Sequence, residues 1–313
     1  MCKRELFYTE MEVKMNETVI QTNNLVKQFN KKTALNKLSL NIPQNSITGL
    51  IGRNGSGKTT LMKILSGQLD ATSGSVTVFD ENPMDNIMVL QNLIYTCHNF
   101  GYQRDLNLNS ILRNYNTLFP NFDLEFANKL IKYFDLSPRM KYKNLSQGMG
   151  SIFNFLAALS CRCKLTMFDE PILGMDITVR RAAYDILLRD YTEHPRTFLI
   201  SSHLFNELEG VLSDVLLIEK GEKVLYGNID EIRHSAYRID GGATQIDSFI
   251  YNKNVIERQN TTVQSFAIIF EPLTPVVKSE INQYGLAISP VRIEDLCIYL
   301  TKQNKEAQLQ CLW

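Results

Sequence analysis

An apolar run, Ile47-Thr48-Gly49-Leu50-Ile51, leads directly into Gly52-Arg53-Asn54-Gly55-Ser56-Gly57-Lys58-Thr59. The spacing fits G-x-x-x-x-G-K-[ST], a loop that holds the phosphates of a nucleotide. Its glycines let backbone N–H groups converge on a phosphate, where a Cβ would block the approach. Lys58 brings a positive charge to the β- and γ-phosphates, and the Thr59 hydroxyl is a ligand for Mg²⁺. The flanks agree with this reading. The apolar run reads as a buried strand. Residues 59–66 read as a helix, with Leu61, Ile64 and Leu65 at i, i+3 and i+4 and Gly67 as its stop. A strand that feeds such a loop, with a helix N-terminus facing the anion, constrains the chain to an α/β arrangement around a nucleotide.

The loop leaves open which kind of nucleotide enzyme this is, and three further stretches narrow it. Leu165-Thr166-Met167-Phe168-Asp169-Glu170 is an apolar strand that ends in two carboxylates. Asp169 is placed to hold Mg²⁺ through water, and Glu170, one residue on, to polarise an attacking water as general base. Leu145-Ser146-Gln147-Gly148-Met149 opens a helical pattern carried by Ile152, Phe155, Leu156 and Leu159. Ser201-Ser202-His203 follows the apolar strand of residues 197–200. Taken singly, each has a plainer explanation. Ser146 is a good helix cap, Asp169 and Glu170 an ordinary acidic strand end, and His203 a surface turn residue.

Together and in this order, these stretches resemble the ATP-binding cassette ATPases of membrane transporters over residues 19–232. The resemblance implies a P-loop ATPase fold of the α/β class. Such a fold has a RecA-like core sheet with a flanking antiparallel β subdomain and a helical subdomain. It implies that Gly52, Arg53, Asn54, Gly55, Ser56, Gly57, Lys58, Thr59 and Thr60 form the Walker A loop. Asp169 becomes the Walker B aspartate beside Thr59 in metal binding, Glu170 the catalytic glutamate, and His203 the switch histidine that contacts the γ-phosphate. Residues 145–149 stand where the family has L-S-G-G-Q, so Ser146 and Gly148 meet nucleotide. Gly174-Met175-Asp176 match the D-loop, which brings Asp176 to the site. Phe29 stands where the family has an adenine-stacking aromatic, and a phenyl ring stacks on a base without a para hydroxyl. A core position is the alternative for that ring.

Two departures stand out. The signature stretch has Gln147 and Met149 at its third and fifth positions. It keeps the serine and the second glycine, the groups that approach a phosphate closely. In Ile94-Tyr95-Thr96-Cys97-His98-Asn99, the family's Q-loop glutamine falls at His98. A glutamine carbonyl is a hard oxygen ligand suited to Mg²⁺, whereas imidazole suits softer metals. A shift of one residue offers Asn99 instead.

Other nucleotide enzymes fit less well. No N-K-x-D motif reads guanine, no long heptad run divides the site, and a single phosphate loop argues against a tandem cassette. Lys plus Arg and Asp plus Glu each number 33, so bulk charge does not point to nucleic acid, and none is expected as partner. Six scattered cysteines, with Cys161-Arg162-Cys163 lacking metal spacing, read as reduced thiols of a cytosolic protein. No run approaches the roughly 18 apolar residues of a bilayer span. Lys3 and Arg4 have no apolar core after them, so no signal peptide is expected, and Met15 is a second candidate start.

The expected organisation is an N-terminal extension (1–18), a nucleotide-binding domain (19–235) and a small α+β accessory region (236–313). Residues 19–42 with 73–79 read as the β subdomain. Residues 105–160 read as the helical one, with stripes at Ile111, Leu112, Tyr115, Leu118 and at Phe126, Ala127, Leu130, Ile131, Phe134. Gly241-Gly242 reads as a link to the accessory region. The closing Ile293-Glu294-Asp295-Leu296 resembles the tail of single-cassette ATPases in bacterial exporters. Thr117-Leu118-Phe119-Pro120-Asn121-Phe122 resembles the bacitracin and lantibiotic-resistance branch. The resemblance implies an ATPase subunit with ATP and Mg²⁺. It would pair with a second nucleotide-binding subunit, the same or different, and serve a separate transmembrane permease from the cytoplasmic face, as an exporter of a peptide, antibiotic or other amphiphile. A regulatory cassette acting on a protein or nucleic acid is the alternative.

Overall fold

The computed structural model describes residues 18–97, 102, 105–203, 205–260 and 265–302. The described residues open with two long strands, β1 (Thr18–Phe29) and β2 (Lys32–Pro43), joined by a tight hairpin. Then come β3 (Ile47–Ile51), α1 (Lys58–Leu65), β4 (Ser73–Val78), α2 (Ile87–Leu90) and β5 (Leu93–Cys97). Three helices follow, α3 (Leu108–Leu118), α4 (Leu124–Tyr133) and α5 (Gln147–Ser160). The chain returns to the sheet through β6 (Leu165–Asp169), α6 (Ile177–Glu193) and β7 (Thr197–Ser202). Next are α7 (Phe205–Leu208), β8 (Asp214–Glu219), β9 (Glu222–Asn228) and α8 (Ile229–Arg233).

Six of these strands form one sheet in the order β5-β6-β7-β3-β8-β9, parallel except for the β8–β9 hairpin. The central strands β3, β6 and β7 are buried at every residue, as a sheet covered on both faces requires. Alternate side chains feed two cores. Leu50, Met167, Leu199 and Leu216 join the cluster that includes Leu61 of α1 and Leu25 and Leu38 of the β1–β2 hairpin. Ile51, Phe168, Phe198 and Leu217 join the other, with Phe155 and Leu156 of α5 and Leu187 of α6. The second antiparallel sheet, β2-β1-β4, therefore covers one face, and the helices cover the other.

The helix starts carry their own signals. Asn107, Asp123, Ser146 and Asp176 each accept a backbone N–H at the N-terminus of α3, α4, α5 and α6. The first helical stripe holds at Ile111, Leu112 and Tyr115 but not at Leu118, which is the last residue of α3 and 66% exposed. The backbone turns at Phe119, and Phe122 takes the core position instead.

Beyond α8 the chain forms β10 (Tyr237–Gly241), α9 (Ala243–Phe249), β11 (Val255–Gln259), β12 (Ser265–Ile269), α10 (Pro275–Gln283), β13 (Ala287–Pro290) and α11 (Ile293–Thr301). The strands make an antiparallel sheet in the order β11-β12-β10-β13. Gly241-Gly242 is not a link. Gly241 ends β10, opposite Ser265, and Gly242 is the N-cap of α9. A Cβ on Gly241 would run into the Leu286 side chain, so close packing rather than flexibility explains the glycine. Ile293, Leu296 and Cys297 of α11 share a buried cluster with Phe205, Leu208, Ile229 and Ile232, which seats this unit on α7 and α8. Among the described residues no helix is long and apolar enough to cross a membrane.

Candidate functional site

The parallel strands β3, β6 and β7 all point their C-terminal ends to one edge of the sheet, where α/β folds place ligands. The glycine loop leaves β3, Glu170 leaves β6, and His203 leaves β7. An open cleft at this edge is lined by Phe29, Lys32, Ala34, Asn54, Gly55, Gly57, Lys58, Thr59, Thr60, Asp169 and Glu170. Nine of the residues singled out in the sequence thus meet in one cleft. Phe29 stands at its rim, 45% exposed and outside the core, with the Lys27 ammonium 5.2 Å from its ring centre.

The loop is tightly held. Gly57 has φ +113°, and a Cβ there would stand 2.7 Å from the Ala34 carbonyl oxygen, so only glycine fits. The Ser56 N–H donates to the Arg53 carbonyl at 3.0 Å, and the Ser56 carbonyl accepts from Gly221 at 2.8 Å. The Ser56 hydroxyl is buried without a partner among the described residues. Lys58 begins α1 and is only 7% exposed. Its ammonium donates to the carbonyls of Gly52 at 2.6 Å and Arg53 at 3.3 Å. Burial pushes its pKa down, while Glu170, Asp169 and Glu219 pull it back toward the charged form.

Asp169 is buried and accepts from three hydroxyls. Thr59 donates to Oδ2 at 2.8 Å, Ser201 to Oδ1 at 2.6 Å and Tyr95 to Oδ2 at 3.2 Å. Burial, followed by the Asp169 charge, pushes the Tyr95 phenol well up, so it stays a neutral donor. The Thr59 hydroxyl and Asp169 carboxylate form a convergent hard-oxygen pair, a donor set that fits Mg²⁺.

Glu170 has φ +53°, a region that non-glycine residues seldom occupy. The Ser201 hydroxyl accepts its N–H at 3.0 Å, and its carboxylate Oε2 lies 2.8 Å from His203 Nδ1. Strain of this kind persists where the surroundings dictate it, and here it turns the carboxylate into the cleft. Ser201 therefore ties the Asp169 carboxylate to the Glu170 backbone, donating to the one and accepting from the N–H of the other. Its importance is a matter of register. Ser201 pairs directly with Asp169 across the parallel β6–β7 ladder, as Cys97 does across β5–β6. Lys32 and Ala34 enter the cleft from β2. None of these four residues (Tyr95, Ser201, Lys32, Ala34) carries a motif of its own.

Three other residues sit apart from the cleft lining. The Ser146 hydroxyl accepts the Met149 N–H at 3.2 Å as cap of α5. Asp176 Oδ1 accepts the N–H groups of Thr178 and Val179 at 2.9 and 3.0 Å as cap of α6. Gly148 packs on the D-loop stretch: a Cβ there would stand 2.5 Å from the Gly174 carbonyl oxygen. Ser146 and Gln147 are exposed. His98 and Asn99 lie outside the described residues.

A glycine loop, its Lys58 and Thr59, the strand-end Asp169-Glu170 pair and His203 thus converge at one sheet edge. The family model for ABC transporters matches residues 35–173. The chain carries an ABC transporter ATPase domain. The cassette is 28% identical over 289 residues to the bacitracin transport ATP-binding protein BcrA of Enterococcus faecalis, covering 89% of this chain and 92% of the relative. It is 25% identical over 221 residues to the ABC transporter ATP-binding protein YtrB of Bacillus subtilis, covering 71% and 76%. A solved ATP-binding subunit of an ABC transporter superposes with a TM-score of 0.63 at 20% identity, over 69% of this chain and 92% of that one. A dimeric cassette bound to ADP and Pi superposes at 0.58 and 17% identity, over 67% and 98%. These two structural likenesses establish the α/β cassette fold. The chain is an ABC transporter ATP-binding subunit with an ATP-hydrolysing cassette.

Proposed function

We propose that this subunit powers a separate membrane permease, works as a pair of cassettes and serves export. The observation that carries the catalytic part is the Glu170–His203 contact beside the hydrogen bond from Thr59 to the buried Asp169, all at the mouth of the glycine loop. Lys58 and the loop N–H groups hold the triphosphate, and Phe29 stacks on the base. Thr59 and Asp169 would hold Mg²⁺, which when bound neutralises charge on the phosphate oxygens. Glu170 takes the proton of the attacking water, and His203 orients Glu170 and meets the γ-phosphate.

One chain carries both the cleft and the exposed α5 N-terminus. Two copies in head-to-tail, two-fold arrangement would each offer Ser146 and Gly148 to the other's nucleotide. ATP then acts as a clamp, and its hydrolysis releases it. Export is supported by the similarity to a bacitracin transport protein along nearly its whole length. Placement on the cytoplasmic face follows from that role. The test is coupling. The purified chain should hydrolyse ATP slowly, and reconstitution with a cognate multi-span permease should raise the rate several-fold. A full rate without any membrane partner, together with tight RNA or DNA binding, would overturn the reading.

A further inference from the structure

Arg180 lies in the first turn of α6 and is not among the residues that line the cleft. Its guanidinium joins two other segments. Nε donates to the Met175 carbonyl at 2.8 Å, and Nη1 donates to Glu207 Oε1 at 2.7 Å. Met175 belongs to the turn that leaves Glu170, a turn closed by Leu173 N–H on the Glu170 carbonyl at 3.4 Å and Met175 N–H on the Ile172 carbonyl at 3.1 Å. Glu207 belongs to α7, which is fixed in the core by Phe205 and Leu208 and follows His203 closely in the chain. His203 in turn contacts Glu170. The contacts form a ring: Glu170, the turn to Met175, Arg180, Glu207, α7, His203 and back to Glu170.

The same turn touches the N-terminus of α5. The Ser151 hydroxyl donates to the Leu173 carbonyl at 2.7 Å, and Gly174 packs against Gln147 and Gly148. These contacts link that N-terminus through residues 173–175 and Arg180 to α7. The pair is a partly buried one, with side chains 24% and 27% exposed, and the second Glu207 oxygen is buried without a partner. Tyr184, one turn further along α6, also has a buried hydroxyl without a partner among the described residues. A planar guanidinium with several donors serves the carbonyl and the carboxylate together, which an ammonium does less well.

We propose that Arg180, held by Glu207, is a positioning residue that sets the Glu170–His203 geometry and couples it to the N-terminus of α5. This rests on the catalytic assignment of Glu170 and His203 above. Arg180 does not touch nucleotide, so its loss should lower kcat and spare binding. Small misplacements of reacting groups are costly in rate.

The experiment compares Arg180→Met, Arg180→Lys, Glu207→Gln, Glu207→Met and the double variant Arg180→Met/Glu207→Met with the full-length parent. ATP turnover, KM, the dissociation constant of trinitrophenyl-ATP and the thermal midpoint are measured for each. Arg180→Met should lose about tenfold in kcat, with KM and nucleotide affinity within about twofold. The double variant should be no slower than Arg180→Met, because both changes break one link. Glu207→Gln, which keeps an acceptor oxygen, should retain most of the rate, and Arg180→Lys should fall between. Glu170→Gln runs alongside. If it abolishes turnover while Arg180→Met leaves kcat unchanged, the positioning role alone is refuted. If Glu170→Gln itself turns over normally, the catalytic assignment fails first. A lowered thermal midpoint with unchanged kcat, or strictly additive losses in the double variant, would reduce the pair to a structural tie and overturn the proposal.

Discussion

In the cleft Asp169, Lys58 and Glu170 are held by neighbouring groups, whereas at the N-terminus of α5 Ser146 and Gln147 are exposed. Asp169 accepts three hydroxyls, Lys58 is tied to two carbonyls, and Glu170 is aligned by Ser201 and His203. Ser146 has a single local job, capping its helix, and Gln147 stands beside it exposed. Both regions carry glycines and a helix N-terminus, so chemistry alone does not separate them. Their surroundings do. The first is preorganised within one chain. The second presents donors outward, as a surface made to meet a second molecule would.

The largest effect expected is at Glu170. Glu170→Gln keeps size and hydrogen bonding but removes the base, so hydrolysis should fall by about 10²–10⁴ while nucleotide still binds. Turnover near the parental rate would take Glu170 out of the chemistry. On the other side of the comparison, Ser146→Arg should leave nucleotide affinity of the isolated chain within about twofold and cut turnover by about a hundredfold, because the bulky side chain spoils the one nucleotide site that it faces in the pair. An equal loss of nucleotide affinity would erase the distinction between the two regions. Phe29→Ala tests the rim of the cleft. Base stacking contributes about 1–3 kcal/mol, so KM for ATP should rise about tenfold with little change in kcat. Unchanged KM would return Phe29 to the role of a surface ring beside Lys27.

Much of the cleft was legible because its residues follow one another or close a strand: the glycine loop after β3, Asp169-Glu170 after β6, His203 after β7. What escaped depends on register between distant segments. Tyr95 and Ser201 reach Asp169 from 74 and 32 residues away in the chain. Nothing local distinguishes that serine from its neighbour Ser202. The helical stripe ran one residue too far at Leu118, because periodicity marks a face and not where the chain leaves it. Gly241-Gly242 looked like a link because glycine marks both freedom and close packing, and only the contact with Leu286 decides between them.

The smallest effect lies outside both regions, at the seat of the C-terminal unit. Burial and then the Glu294 charge push the Cys297 thiol up to about 12. A thiol raised in the folded state contributes stability that is complete below its ordinary value near ~8.5 and is lost as pH rises toward the folded value. The thermal midpoint should therefore slope downward above about pH 9, and Cys297→Ala should make that slope shallower while leaving ATP turnover at neutral pH unaltered. An identical slope in the variant would dissociate Cys297 from alkaline unfolding.

The central claim is that a complete hydrolytic site takes its two regions from two copies of this chain. Mixing Lys58→Ala with Ser146→Arg tests it most directly. Each variant alone should be nearly inactive. In an equal mixture half the pairs are mixed, and each mixed pair holds one site with both its Lys58 and its Ser146 intact, so about one quarter of the parental ATPase rate should return. A mixture no more active than either variant alone would contradict the shared site and confine hydrolysis to the single chain.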